Sequence, residues 1–199
     1  MKQALNRNVL FVTEHPCLFK RTNNYDILDP ETKELLMECR EEKISRLTRL
    51  LRFTSLRRTT PFTIIVRTVK GDQVLRMSRG VPIFASVVNV FDETNAPIGC
   101  FKQRPFSFSG AFDVLDAQNR PLCTLKSGQA GWNFRFLSLD DIELARVTRK
   151  WAGFGRELFT SANDYILQLD DVVPEDSLIR QLVLASALCI GLIQKTDIP

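Results

Sequence analysis

From Leu182 to Ile193 the chain runs for twelve residues with no charged side chain and only one hydroxyl, Ser186. Pro174-Glu175-Asp176-Ser177, just upstream, combines acidic residues with a capping-type serine and predicts a helix beginning at Leu178. At about 1.5 Å per residue, twelve residues reach about 18 Å, little more than half of a bilayer core of about 30 Å. Extension in either direction meets Arg180 and Gln181, or Gln194, Lys195 and Asp197. A helix that is apolar on every side, yet too short for lipid, has to be wrapped by protein. Leu182, Leu184, Leu188 and Leu192 are therefore assigned to a buried core helix, and the rest of the chain must supply the wrapping.

That wrapping is legible as β-hairpins, each written as an apolar run, a turn carrying Asp, Asn, Gly or Pro, and a second apolar run. Tyr25–Leu28 passes through Asp29-Pro30-Glu31-Thr32 into Glu34–Met37, and Phe62–Val66 through Lys70-Gly71-Asp72 into Val74–Met77. Two further segments share the pattern V-[FL]-D-x-x-N-x-P-[IL], at Val90–Ile98 and Val114–Leu122. Asp and Asn bond back to turn backbone and Pro presets one dihedral angle, so turn chemistry accounts for this repeat without a ligand. Trp132–Phe136 alternates large apolar with polar residues, Asp140-Asp141 turns into Ile142–Val147, and Tyr165–Leu169 adds another strand. The expectation is one mostly β domain over residues 1–199, of ten or more antiparallel strands closed around the C-terminal helix.

The 44% apolar and 25% charged fractions are ordinary for a globular chain, and a net charge of +4 is not the footprint of a dedicated nucleic-acid binder. Cys17, Cys39, Cys100, Cys123 and Cys189 are odd in number and form no CxxC or Cys/His cluster, so they are assigned as reduced core thiols. The N-terminus has only the short apolar patch Leu10-Phe11-Val12 before Glu14, His15 and Pro16, which does not make a secretory signal. A cytoplasmic location follows as the expectation.

One segment departs from the β pattern. Between Glu41 and Phe53, Ile44, Leu47, Leu50 and Leu51 share one helical arc while Arg46, Arg49 and Arg52 share the opposite one, which predicts an amphipathic helix. Arg57 and Arg58 extend the cluster. This arginine face is the candidate contact for anionic phospholipid, although a solvated face capping the barrel explains the same pattern.

The order of these parts resembles the phospholipid scramblase family and the related LURP-one and tubby-like proteins. Val147 to Tyr165, with Trp151, Gly153 and Arg156-Glu157-Leu158-Phe159-Thr160, is similar to the family's I-x-K-x-W-x-G-x-x-R-E-x-F-T-D-A-D segment. Pro61-Phe62-Thr63 followed by Gly71-Asp72-Gln73-Val74, and Ala96-Pro97-Ile98-Gly99, are similar to its R-P-F-T, G-Q-E-V and V-P-I-G motifs. The resemblance implies a twelve-stranded barrel around the C-terminal helix, and a protein that engages phospholipid head groups or a membrane surface peripherally, with a role in assisting scrambling.

Two departures bear on function. The cysteine-dense stretch that is lipidated in animal scramblases has no counterpart between Ser78 and Val87. The family's calcium loop opens on Asp-x-Asp, where this chain has Ser161 and Asn163. Calcium prefers six to eight oxygens, several of them carboxylates, so Asn163, Asp164, Asp170 and Asp171 make a weakened candidate set and no cofactor is expected. A single histidine, and the absence of a phosphate loop or GxSxG elbow, argue against an enzyme. No specific nucleic acid is expected, because aromatics do not interleave the arginines. The alternative to a lipid-engaging domain is a soluble module binding a protein or small ligand.

Overall fold

In the computed structural model, residues 5–15, 24–42, 60–81, 86–104, 111–128, 132–149 and 164–194 are described, with helix side chains described as far as Ile190. Twelve strands, β1 (Val9–Glu14), β2 (Tyr25–Leu28), β3 (Leu35–Glu41), β4 (Phe62–Thr68), β5 (Gln73–Arg79), β6 (Val87–Phe91), β7 (Pro97–Gln103), β8 (Phe112–Asp116), β9 (Pro121–Ser127), β10 (Asn133–Leu137), β11 (Glu143–Thr148) and β12 (Tyr165–Leu169), are followed by helix α1 (Leu178–Gln194). Each strand pairs antiparallel with its neighbours in sequence, and β1 pairs with β12 to close the barrel. Closure removes every sheet edge and encloses a bore lined by alternate residues.

Register explains the core. Tyr165 lies opposite Val12, Val12 opposite Ile27, and Ile27 opposite Met37, so four strands send one layer of fully buried side chains into the bore. The bore is occupied by α1, in which Leu182 to Ile190 are all buried, including Leu182, Leu184 and Leu188. The helix is thus wrapped on all sides, as its apolar circumference requires. The Tyr165 hydroxyl donates to the Ala187 carbonyl at 3.1 Å, and Ser186 Oγ donates to the Leu182 carbonyl at 2.7 Å. Gly99 on β7 lets the wall approach this helix, since a Cβ there would meet Leu182 Cδ2 at 3.0 Å.

The helix start is secured differently from the sequence expectation. Ser177 Oγ is buried without a hydrogen bond, so the serine does not cap through its side chain. Instead the buried guanidinium of Arg180, which sequence alone treated as an interruption, donates to the carbonyls of Val173 (2.9 Å), Pro174 (3.0 Å), Leu5 (3.4 Å) and Arg7 (3.4 Å) and to Asn8 Oδ1 (2.7 Å). One side chain thereby ties the segment before β1 to the first turn of α1. β1 itself, absent from the hairpin count, is the strand that completes the barrel. Glu41, placed in the amphipathic helix by periodicity, is the last residue of β3 and pairs with Ile64; Lys43 to Phe53 lie outside the described residues.

Candidate functional site: the long-connection end of the barrel

Because the strands run up and down in order, alternate connections emerge at opposite ends. One end carries the turns β2–β3, β4–β5, β6–β7, β8–β9 and β10–β11 and the entry into α1. Four of these turns are built alike. In Thr68–Asp72, Asp92–Ala96, Asp116–Arg120 and Ser138–Ile142 the first amide donates to the fifth carbonyl, and the fourth residue, Gly71, Asn95, Asn119 or Asp141, has positive φ. Asp92 Oδ1 accepts from the amides of Thr94 and Ala96, Asp116 Oδ1 from those of Gln118 and Arg120, and Ser138 Oγ from those of Asp140 and Ile142. The shared Asp and Asn of the sequence repeat are therefore turn makers.

The opposite end receives the connections 15–24, 42–61, 80–86, 104–111, 128–132 and 149–164. Those six segments contain twelve Lys or Arg against three Asp or Glu, whereas the six at the turn end (29–34, 69–72, 92–96, 117–120, 138–142 and 170–177) contain three against twelve. The chain's overall +4 thus hides one set of connections at +9 and another at −9, to which Arg7, in the segment entering β1 at the turn end, adds one positive charge. Aromatics sort the same way, with nine of the eighteen Phe, Trp and Tyr residues in the first set and none in the second.

Arg46, Arg49, Arg52, Arg57 and Arg58 belong to connection 42–61, and so to a segment leaving and rejoining the barrel at its basic end; their side chains lie outside the described residues. The candidate metal set does not converge. Asp164 precedes β12 and Asp170 and Asp171 follow it, six residue steps or about 20 Å apart along an extended strand. Asp164 is buried and accepts from the Thr13 hydroxyl at 2.8 Å, Asp170 Oδ1 accepts from the Val172 amide at 3.0 Å, and Asp171 Oδ1 from Asn8 at 2.5 Å. Asn163 and Leu192 lie outside the described side chains, and no three His, Cys, Asp or Glu gather at metal-binding distances among the described residues.

Two arginines that sequence reasoning missed face the bore at this end. Arg79 follows Leu75 and Met77 in the strand alternation, lies with its guanidinium 4.8 Å over the Phe62 ring, and donates to the Thr60 carbonyl at 2.8 Å and to Ser86 Oγ at 3.5 Å. Arg149 follows Ala145 and Val147, and its guanidinium lies 4.3 Å over the Trp132 ring. Trp132 packs 5.0 Å from Tyr165 and edge-on at 5.3 Å to Phe134. The alternation of inward residues was the available signal, since each arginine stands two positions beyond a buried apolar residue.

A scramblase-family model matches residues 10–193. The chain belongs to the scramblase family. The match begins inside β1 and so covers the closing strand as well as the hairpins. A crystal structure of a protein from Arabidopsis thaliana superposes with a TM-score of 0.55 at 12% identity, covering 96% of this chain and 91% of that one. At that identity the likeness concerns the fold, which is the tubby-like closed barrel of twelve strands around a C-terminal helix. No curated protein matches.

The polar cluster around Asp26 is internally paired. His15 Nδ1 lies 2.6 Å from Asp26 Oδ2, and Arg40 donates to Asp26 Oδ1 at 2.5 Å and to the Tyr25 carbonyl at 2.6 Å, a half-exposed ion-pair cluster on the outer face of β1 to β3. Burial pushes the thiols of Cys39 and Cys123 up to about 12 and that of Cys189 well above its ordinary value, opposite to the shift an activated nucleophile needs. No helix among the described residues is long and apolar enough to cross a membrane.

Proposed function

We propose that this scramblase-family protein is a non-enzymatic, peripheral membrane module that docks end-on upon anionic phospholipid through the long-connection end of its barrel. The observation that carries this reading is the division of charge and aromatic residues between the two ends. Basic residues near an anionic leaflet contribute about 1 kcal/mol each, and aromatic side chains favour the head-group layer. The acidic end lies about 20 Å away along strands of up to seven residues. That is more than two Debye lengths at about 8 Å in physiological salt, so its repulsion is screened while the basic end is in contact. The +9 end, and not the +4 total, sets the attraction.

The arginines at 46, 49, 52, 57 and 58 are the principal contacts in this reading, and any lipid rearrangement occurs in the membrane contacted, because α1 fills the bore. Co-sedimentation with vesicles of phosphatidylcholine alone or mixed with phosphatidylserine tests it. Binding is expected only to the mixed vesicles, weaker at 1 M than at 0.1 M salt, and weaker again when Arg46, Arg49 and Arg52 become Gln. Equal binding to both vesicle types, or none, overturns the reading in favour of a soluble module for a protein or small ligand, located away from membranes.

A further inference from the structure

The other arginines with well-buried side chains find acceptors: Arg180 has five, Arg40 has Asp26, and Arg79 has the Thr60 carbonyl. Arg149 is different. Its Nε, like that of Arg79, is buried with no hydrogen-bond partner, but in Arg149 no described residue accepts from the rest of the guanidinium either, or pairs with it at ion-pair distance. Burial lowers its pKa, while the field of Asp164, beyond ion-pair contact, and that of Tyr25 act in the opposite sense. An arginine has donors and no acceptor capacity, so a half-buried one without partners is costly unless something supplies oxygen atoms.

The support beneath it is rigid. One face of the guanidinium rests on Trp132, and Trp132 is held between Phe134 and Tyr165, whose hydroxyl is in turn fixed on α1. Stacking occupies the face of the planar fork and leaves its edge, where the donors lie, for a ligand with two oxygens. A phosphate ester fits that edge in bidentate geometry, and the surrounding connections, at +9, select an anion.

We propose that Arg149, seated on Trp132 at the basic mouth of the barrel, is a binding site for a phosphate ester group, supplied by a phospholipid head group or by a soluble phosphate ester. The lipid source rests on the end-on docking reading, whereas the site itself does not.

The test is titration of the full chain with glycerol 3-phosphate and with glycerophosphoserine, each matched by sodium acetate at equal ionic strength. Binding is followed by the Arg149 Nε–H nuclear magnetic resonance signal in the parent and by Trp132 fluorescence in W151F, where Trp132 is the sole tryptophan. A saturable shift with the phosphate esters and not with acetate is expected, weakened by about tenfold or more in R149Q, the loss of one charge-assisted pair. A flat Nε–H titration in the parent overturns the site, as does an equal response to acetate or an unchanged response in R149Q. The same preparations are assayed with phosphatidylcholine and phosphatidylserine vesicles. Vesicle binding with a flat ester titration leaves docking standing and removes the site. Ester binding without vesicle binding keeps the site, assigns it to a soluble ester, and removes the docking reading.

Discussion

Replacing Gly99 by Ala adds one methyl group at the closest approach between wall and helix, and its cost follows from the backbone. An added Cβ would lie 2.3 Å from the Leu115 carbonyl oxygen on β8, and 3.0 and 3.2 Å from the two Leu182 methyl carbons. The nearest atom belongs to the neighbouring strand's backbone, so no rotamer change relieves it; a shift of about 1 Å is needed to restore an ordinary contact of about 3.5 Å. In a closed barrel that shift is passed to both sides, because Gly99 pairs with Val90 on one flank and Asp116 on the other. Overpacking of this kind costs about 1–3 kcal/mol, and the stiffer unfolded chain of the alanine variant adds about 0.4–1 kcal/mol to that cost's opposite side. The net expectation is destabilisation by about 1.3 kcal/mol, or a Tm about 3–5 °C lower for a chain of this size. Urea unfolding followed by tryptophan fluorescence should show a lower midpoint at unchanged slope. The double variant with Leu182→Ala distinguishes the cause. Truncating Leu182 leaves the carbonyl clash in place and opens a cavity worth about 2–5 kcal/mol, so the double variant should be less stable than G99A. A midpoint for G99A equal to the parent's, or recovery in the double variant, would refute the backbone argument.

Arg180→Met should cost about 3 kcal/mol or more, because it strands carbonyls at both the N-terminal segment and the helix entry; limited proteolysis should then cleave near residues 5–8 in the variant and not in the parent. Asp29 is held below the usual carboxylate range by the amides of Thr32 and Glu31, and Asp92 and Asp116 are held below it by turn hydrogen bonds that outweigh burial. Since these folded values are depressed, their stabilisation is present above the unfolded value of about 4 and is lost as pH falls below it; thermal melts should show a fall in Tm between about pH 4 and pH 2 that is smaller in Asp116→Asn. Thiol titration at pH 8 should leave Cys39, Cys123 and Cys189 unreacted in the native protein and release them on unfolding, because burial excludes both the reagent and the thiolate; rapid native reaction at any of the three would show that the bore opens.

Local chemistry made most of the fold legible. Asp92 with Asn95 and Asp116 with Asn119 announce their turns because the hydrogen bonds that form them reach only two to four residues along the chain. Gly99 in the Pro97-Ile98-Gly99 motif was legible as family likeness, and its reason, contact with a helix more than eighty residues later, was not. β1 escaped for a related cause. Its run Val9–Glu14 has no turn of its own making, and the pairing of Val12 with Tyr165 joins residues at opposite ends of the chain. Arg180 was illegible because four of its five acceptors are main-chain carbonyls, which carry no sequence signature, and the fifth, Asn8, lies more than 170 residues away.

The same distinction separates the two ends of the barrel as evidence. Much of the acidity of the turn end is a by-product of building it: Asp29 and Asp92 bond their own turns, Asp141 takes the positive-φ position, and Asp170 bonds the turn into α1. A protein with no partner at that face would still need those residues. Turn formation makes no corresponding demand for Lys43, Arg46, Arg49, Arg52, Arg57 and Arg58 in one connection, where like charges repel and any soluble residue would keep the chain in water. The basic connections are therefore the half of the asymmetry that turn formation does not account for, and they became visible as one end only when strand order assigned alternate connections to opposite ends.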